Sequence, residues 1–321
     1  MADTTLDVTV SRKWQEAQDI YGFEFTHADG NALPPFSAGA HIDVYLPDGL
    51  IRQYSLCNDP GSTHHYRIAV LRDADGRGGS RAIHDKVNQG DTIRISAPRN
   101  HFALAHAAPH HLLIAGGIGI TPILCMAEHL IRAGEKFDLH YCARSRERAA
   151  FVEPVTASPF GNRTALYFDD EAHAPRFDIA ATLANAPAES HLYVCGPRGF
   201  MDAVLAEARR QQWDETRLHY EFFGGIVEQS SADAAFQVRV ASSGATIDVP
   251  TGCTVIEALA ANGVDVLTSC EQGVCGTCIT RVIEGLPDHR DAYLTDEEKA
   301  VGDQFLPCCS RSHTPLLVLD L

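Results

Sequence analysis

At 321 residues the chain is long enough for two or three domains, each with its own core, and its 45% apolar share is that of an ordinary globular protein. A formal charge of −16, from 42 acidic and 26 basic side chains, argues against nucleic acid or an anionic membrane as partner and suits a protein with a basic docking patch, although plain solubility is the better reading of the charge alone. The start, Met1-Ala-Asp-Thr-Thr-Leu-Asp7, carries no basic or apolar leader, and the longest uncharged apolar run, Leu112 to Ala127, is interrupted by Gly116, Gly117, Gly119 and Pro122, so a soluble cytoplasmic protein with reduced thiols is expected.

Short alternating segments fill the first hundred residues: Asp7–Val10, Tyr21–Thr26, His41–Leu46, Ile51–Leu56, Tyr66–Leu71 and Thr92–Ser96. Turn signals such as Asp48-Gly49, Asp75-Gly76 and Gly90-Asp91 separate them, which predicts a small antiparallel barrel. On the fourth segment, Arg52-Gln53-Tyr54-Ser55 places Arg52 and Tyr54 on one side and Gln53 and Ser55 on the other. An arginine and an aromatic on one face can hold a phosphate and cover a ring, and the adjacent hydroxyl can bond to polar ring atoms. Further on, Gly76-Arg77-Gly78-Gly79-Ser80 runs into a predicted helix at Arg81–Val87, and free N–H groups at such a helix start suit a phosphate. Either piece alone is ordinary strand or turn chemistry. Together, R-x-Y-S followed some twenty residues later by a glycine turn and helix resembles the flavin domain of the ferredoxin–NADP reductase superfamily. That resemblance implies flavin contacts from Arg52, Gln53, Tyr54 and Ser55, phosphate contacts from Gly78, Gly79 and Ser80, and Ala69 and Val70 beside the ring. Cys57 reads as a small buried residue.

From His110 the pattern changes to strand–turn–helix units. Leu112–Ala115, Asp138–Cys142, Thr164–Phe168, His191–Cys195 and Arg217–Phe222 read as strands, and Ile123–Ala133, Arg146–Ala157, Ile179–Asn185 and Phe200–Gln211 as helices. This predicts a parallel sheet with helices on both faces. The turn Gly116-Gly117-Ile118-Gly119-Ile120-Thr121-Pro122 lets backbone approach a pyrophosphate, with Thr121 as a helix N-cap and Pro122 in the first turn. Cys195-Gly196-Pro197 ends a second strand at the same sheet edge, where ligands of such sheets bind. The pair resembles the nicotinamide domain of the same superfamily, which implies Cys195 and Gly196 near the nicotinamide; Cys195 as a packing residue is the alternative. Arg144, Arg146 and Arg148 could meet a 2′-phosphate, whereas Asp169 and Asp170 would repel one. In Tyr220-Glu221-Phe222-Phe223-Gly224 the superfamily implies an aromatic against the flavin, and Phe223 is the match. His106, His110 and His111 read as surface histidines at a domain junction rather than as a metal site.

Gly224 to Ala235 lacks periodicity and reads as a linker. Beyond it come a hairpin of Phe236–Val240 and Thr246–Val249, an amphipathic helix at Thr254–Asn262, a short helix at Asp291–Ala300 and a last strand at Leu316–Leu319. Between the helices lies Cys270-Glu-Gln-Gly-Val-Cys275-Gly-Thr-Cys278, with a fourth thiol at Cys308 or Cys309. The spacing C-x4-C-x2-C…C suits a plant-type [2Fe-2S] cluster, with two cysteine sulfurs on each iron. A structural zinc site would need a second C-x2-C hook, and a disulfide framework does not suit a long chain without a leader. The order of elements resembles the ferredoxin β-grasp fold.

The whole is multidomain, and the expected bounds are a flavin barrel at 1–103, a nicotinamide α/β domain at 104–225, a linker at 226–235 and a ferredoxin domain at 236–321. This order, with the runs Arg52–Asn58, Gly76–Ser80, Ala115–Pro122 and Asp288-His-Arg-Asp291, resembles the phthalate dioxygenase reductase family, which includes vanillate O-demethylase reductases. The resemblance implies FMN rather than FAD, NADH as donor, a Rieske-type oxygenase as recipient, and Cys308 beside Cys270, Cys275 and Cys278 as the metal ligands. Ser55, Cys195 and Phe223 would then stand at the reacting centre. Electron counting agrees: a nicotinamide gives two electrons as hydride and the cluster takes one at a time, so a flavin must stand between. A cytochrome P450 as recipient, or a self-contained NADH oxidase or ferric reductase, remains the alternative.

Overall fold

The computed structural model describes residues 5–47, 49–73, 78–171, 175–223, 233–268, 273–274, 276–291 and 293–321. The chain divides into two compact units, Met1–Phe223 and Gly224–Leu321. Among the described residues no helix is long and apolar enough to cross a membrane.

The first unit begins with β1 (Thr5–Ala17), β2 (Ile20–His27), β3 (His41–Tyr45), β4 (Ile51–Ser55), β5 (Tyr66–Leu71), α1 (Gly79–Lys86) and β6 (Thr92–Ser96). The strands form one antiparallel sheet in the order β4-β3-β6-β1-β2-β5. The Cys57 N–H just beyond β4 donates to Arg67 O of β5 at 2.9 Å, which draws the two edges together into the expected barrel. Val8, Phe23, Ile42, Ile68 and Ile95 fill it. β1 runs well past the expected Val10, because register shifts bend it and the Lys13 ammonium, which ends the apolar pattern, is bound by the His84 and Val87 carbonyls at the C-terminal end of α1, at 2.6 and 2.7 Å.

Next come β7 (His111–Gly116), α2 (Ile120–Ala133), β8 (Phe137–Ala143), α3 (Val152–Ala157), β9 (Thr164–Phe168), α4 (Ile179–Asn185), β10 (His191–Cys195), α5 (Arg198–Arg210) and β11 (Leu218–Glu221). All five strands are parallel, in the order β11-β10-β7-β8-β9. The expected helix Arg146–Ala157 is broken: a 3-10 turn at Arg146–Arg148 and α3 are separated by Phe151, whose φ of 62° is left-handed. That conformation aims the Phe151 N–H at Glu16 Oε1 of the barrel, 3.0 Å away, and buries the ring. Barrel residues Ile20, Ala38 and Phe102, sheet residues Leu113 and Tyr141 and Ile123 of α2 share one apolar core.

The second unit has β12 (Phe236–Val240), β13 (Thr246–Val249), α6 (Val255–Ala261), β14 (Thr280–Glu284), β15 (Pro287–Asp288), α7 (Asp296–Val301), β16 (Gln304–Phe305), β17 (Arg311–Ser312) and β18 (Leu316–Leu319). The main sheet runs β13-β12-β18-β14-β16, with β12 and β18 parallel and α6 over the core, a β-grasp arrangement. Both helices start in capping boxes, Thr254 with Glu257 and Thr295 with Glu298. The second box corrects the expected helix start at Asp291, whose buried carboxylate instead accepts the Tyr293 and Leu294 N–H groups at 3.2 and 2.8 Å.

The Glu16 carboxylate joins barrel to sheet, accepting also from Trp14 Nε1 at 2.6 Å. Glu16→Ala leaves the buried Phe151 N–H without its acceptor. The expected cost is about 1–3 kcal/mol, read as a lower urea midpoint for unfolding of the first unit.

Candidate functional site

In the β3–β4 ladder, His41 faces Ser55, Asp43 faces Gln53, Ile42 faces Tyr54 and Val44 faces Arg52. Tyr54 therefore packs against the barrel core on the Arg52 side, while Ser55 and Gln53 share the opposite face with His41. Arg52 lies directly over Gly79, where an added Cβ would stand 2.5 Å from Arg52 Cγ and Nε. The strand motif and the glycine turn thus meet in space. Gly78 begins α1 at φ 86°, a conformation that suits glycine, and no side chain caps the helix there. Ser80 Oγ accepts the Asp73 N–H at 3.0 Å. Gly76 and Arg77 lie outside the described residues. Val70 is spent on the barrel core and Ala69 on the core shared with the sheet.

In the parallel sheet the chain runs from β7 outward to β8 and β9, then returns to β10 on the other side of β7. The switch point between β7 and β10 is where such sheets bind nucleotides. Its two turns touch backbone to backbone: an added Cβ on Gly119 would stand 2.3 Å from Cys195 O, and one on Gly196 would stand 2.9 Å from Gly116 Cα. Thr121 does not cap α2 as expected. It is the second residue of the helix, and its hydroxyl donates to Ile118 O at 3.0 Å, closing the turn. Pro122 follows, still in the first turn, where its missing N–H costs nothing. Pro197 stands at the N-cap of α5. Cys195 is fully buried, and burial, with Glu221 close by, pushes its thiol well up, so it is a neutral packing group and not a thiolate nucleophile.

Barrel and sheet meet at Glu221. The Ser55 hydroxyl donates to Glu221 Oε2 at 3.3 Å, and Glu221 stands beside Cys195 in the β10–β11 register. Burial pushes the Glu221 carboxyl up to about 7 against the opposing pull of the Ser55 hydroxyl. Burial likewise lowers His41 to about 4, helped by His101 and Arg99, so its ring is neutral. The Gln53 amide, 3.3 Å from His41 Nε2, fixes that nitrogen as acceptor and leaves Nδ1–H facing Glu221 Oε1 at 3.9 Å. Phe222 turns inward under the Arg198 guanidinium, while Phe223 is 40% exposed.

In the second unit Cys270 and Cys275 lie outside the described residues. Of the others, Cys278, Cys308 and Cys309 are buried together in one cluster. Leu294 and Leu306 enclose the three sulfurs. Gly273 and Gly276, at φ 72° and 70°, bring the loop backbone close, Gly273 against Cys309 and Asp291 and Gly276 against the Tyr293 ring. The described cysteines are free thiols.

Residues 238–313 match the family described as 2Fe-2S iron-sulfur cluster binding domain, and residues 92–218 that described as dimethylamine monooxygenase subunit DmmA-like, N-terminal domain. Vanillate O-demethylase oxidoreductase of Pseudomonas sp. (strain HR199 / DSM 7063) is 52% identical over 316 residues, which cover 98% of this chain and 100% of that one. The solved structure of phthalate dioxygenase reductase, described as modular for electron transfer from pyridine nucleotides to [2Fe-2S], superimposes with a TM-score of 0.80 at 38% identity, covering 99% of this chain and 98% of that one. The chain belongs to the phthalate dioxygenase reductase family. An intact type IV self-sufficient cytochrome P450 monooxygenase also aligns, with a TM-score of 0.82 and 37% identity over 99% of this chain and 41% of its own.

In this reductase three arginines have different fates. Arg146 lies over the Phe168 ring at 4.6 Å and pairs with Glu171 at 3.5 Å; Arg148 pairs with Asp19 at 3.2 Å; Arg144 is exposed. Of the histidines expected at the surface, His106 is exposed, but His110 and His111 are buried, because their rings pair with Asp138 at 3.1 Å and Glu135 at 2.8 Å. The sequence reading missed Glu221 and His41. The signal for Glu221 was a single acid inside an aromatic strand, which only tertiary burial turns into a titrating group.

A carboxyl raised by folding releases its proton at higher pH in the folded than in the unfolded chain, so Glu221 subtracts stability as pH rises from about 4.5 to about 7. Glu221→Gln is expected to gain about 1–3 kcal/mol on wild type at pH 8 and little at pH 4.5. Urea unfolding of the two proteins at both pH values measures this.

Proposed function

We propose that this reductase carries electrons from NADH through FMN and a [2Fe-2S] cluster to a Rieske-type oxygenase, in a system that oxygenates or O-demethylates an aromatic substrate in the cytoplasm. The observation that carries the reading is the contact of Ser55 with Glu221 beside Cys195, which joins the flavin motif to the nucleotide edge of the sheet. In this reading the bounds are 1–103 for FMN, 104–225 for NADH and 236–321 for the cluster, with 226–235 as linker. The chain aligns end to end with reductases named for vanillate demethylation and phthalate dioxygenation, and its net charge of −16 suits a recipient with a basic docking face.

FMN supplies the exchange between paired and single electrons, and the cluster takes them singly. The residues present suit both groups. Arg52 and the Gly78–Ser80 turn, whose helix start no side chain caps, would offer a guanidinium and backbone N–H groups to the FMN phosphate, with Tyr54 and Gln53 along the Arg52 strand. Ala69 and Val70 stiffen the neighbouring strand. Gly116, Gly117, Gly119, Thr121 and Pro122 shape the pyrophosphate turn, and Cys195, Gly196 and Pro197 floor the nicotinamide position. Phe223, exposed just beyond β11, would stack against the flavin. Arg146 and Arg148 are already paired, and Asp169 and Asp170 follow β9, which favours NADH over its 2′-phosphorylated form.

NADH gives NAD+, two electrons and one proton, and the cluster takes only the electrons. The proton therefore has to leave the site. Ser55 Oγ donates to Glu221 Oε2, and a carboxyl poised near 7 both takes up and releases a proton at neutral pH. Neutral His41, held by Gln53, stands 3.9 Å from the other Glu221 oxygen. In the second unit Cys270, Cys275, Cys278 and Cys308 would hold the irons, and the burial of Cys278 and Cys308 in one cluster suits that set.

The match to the self-sufficient P450 monooxygenase favours a second reading, in which the recipient is a P450. Mixing reduced protein with a purified Rieske oxygenase and with a P450 separates the two by which becomes reduced. Anaerobic NADH is expected to bleach both the flavin and the cluster absorbance, and an unbleached spectrum would refute the reductase reading. Cys308→Ser is expected to abolish the cluster absorbance, while Cys309→Ser keeps it; the reverse result reassigns the fourth ligand.

A further inference from the structure

The helix that leaves the Gly78–Ser80 turn is held at its far end as well. His84, in the last turn of α1, is 8% exposed, and its Nε2 donates to Val70 O of β5 at 2.8 Å. A carbonyl only accepts, so the bond places the hydrogen on Nε2. Tyr21 faces Val70 in the β2–β5 register, and its ring meets the imidazole edge-on at 5.1 Å; the Phe23 ring lies 6.4 Å away. The imidazole is therefore packed against β2 while it bonds to β5. Two further bonds belong to the same end of the helix: Lys13 Nζ donates to His84 O at 2.6 Å, and Arg72 donates to both Asp85 oxygens at 2.5 and 3.0 Å. Arg72 and Asp85 are exposed, so water weakens that pair, whereas the His84 bond is buried.

We propose that His84 is a positioning residue for the flavin: it fixes the start of α1, where the phosphate binds, relative to β5, the strand of Ala69 and Val70. The inference rests on the flavin reading above, with the phosphate at Arg52 and Gly78–Ser80 and the ring beside Ala69 and Val70. A ligand held at two places gains the full benefit of both only when they already stand at the spacing that it spans. Arg52 of β4 lies over Gly79, the first residue of α1, and His84 bonds to β5, so the helix is fixed to one strand at its start and to another at its end. These two strands are the opposite ends of the sheet order, and a helix tied to both keeps them at a set distance. His84 acts through α1 and β5 and takes part in no chemical step.

For the test, the full-length protein is freed of flavin and titrated with FMN and with riboflavin, which has the same ring and no phosphate, and binding is followed by flavin fluorescence. Wild type is expected to bind FMN more tightly than riboflavin. His84→Ala is expected to weaken FMN about tenfold and riboflavin less than about twofold, because only FMN uses both places. His84→Gln, which keeps an N–H donor on a side chain of similar reach, is expected to lie within about threefold of wild type for FMN. Unchanged FMN affinity in His84→Ala, or equal losses for the two ligands such as a loosened barrel gives, overturns the proposal. A His84→Gln protein as weak as His84→Ala overturns it too. Wild type that binds neither ligand overturns the flavin reading itself.

Discussion

The close approach of two glycine turns is the constraint on which the first unit depends. Gly119 lies so near the Cys195 carbonyl, and Gly196 so near Gly116, that no side chain fits at either place. Because these contacts are backbone against backbone, a neighbour cannot rotate away to make room. The approach fixes the ends of β7 and β10 relative to each other and opens the switch point to a ligand. It also sets the position of β11, which pairs with β10 and carries Glu221 to the edge of the barrel. A larger residue in either turn would therefore disturb the meeting of Ser55 with Glu221 as well as the nucleotide site.

Electrostatics at that meeting follows from burial more than from ion pairing. Cys195 and His41 are both held neutral, so neither adds a fixed charge beside Glu221. Burial affects the Glu221 carboxyl in the same sense, since it disfavours whichever form is charged. One consequence is a group that changes charge near neutral pH without a strong ion partner. The neutral His41 ring, held by Gln53, stands 3.9 Å from it and adds no charge that would lock the carboxylate in its ionised state.

Where turn residues bracket an apolar run, the sequence was readable: β5, β6, β9, β10 and β18 start and stop at the expected residues. Failures occurred where a distant contact outweighs a local preference. Phe151 adopts a left-handed backbone because its N–H finds Glu16, 135 residues earlier, and no helical periodicity reports that. Lys13 sits inside a strand because the carbonyl end of α1 takes its charge. The two-residue strands β15, β16 and β17 are too short for any period to register. For the site, the motifs marked which segments matter, but not that Arg52 lies over Gly79 or that Glu221 joins the two halves, since neither pairing is local.

The second unit shows how a chain so rich in acid keeps its cluster region ordered. Residues 233–321 hold 13 acidic and 5 basic side chains, and the bases are drawn inward. Arg290 forms ion pairs with Asp233 and Asp288 at 2.7 and 2.6 Å, and Arg311 donates to the Cys253, Ala234 and Pro250 carbonyls at 2.8 to 3.2 Å. Lys299 donates to Asp291 O at 2.8 Å. These bonds tie the entry to β12, the Asp288–Asp291 run and the segment after Cys309 into one network, which gives that run a structural role beside the cysteines. With three of its five cations engaged in this way, the surface left to a recipient is predominantly acidic. The cations are thus spent on ordering the segment that follows the cysteines, and what they leave outside is a negative field around it.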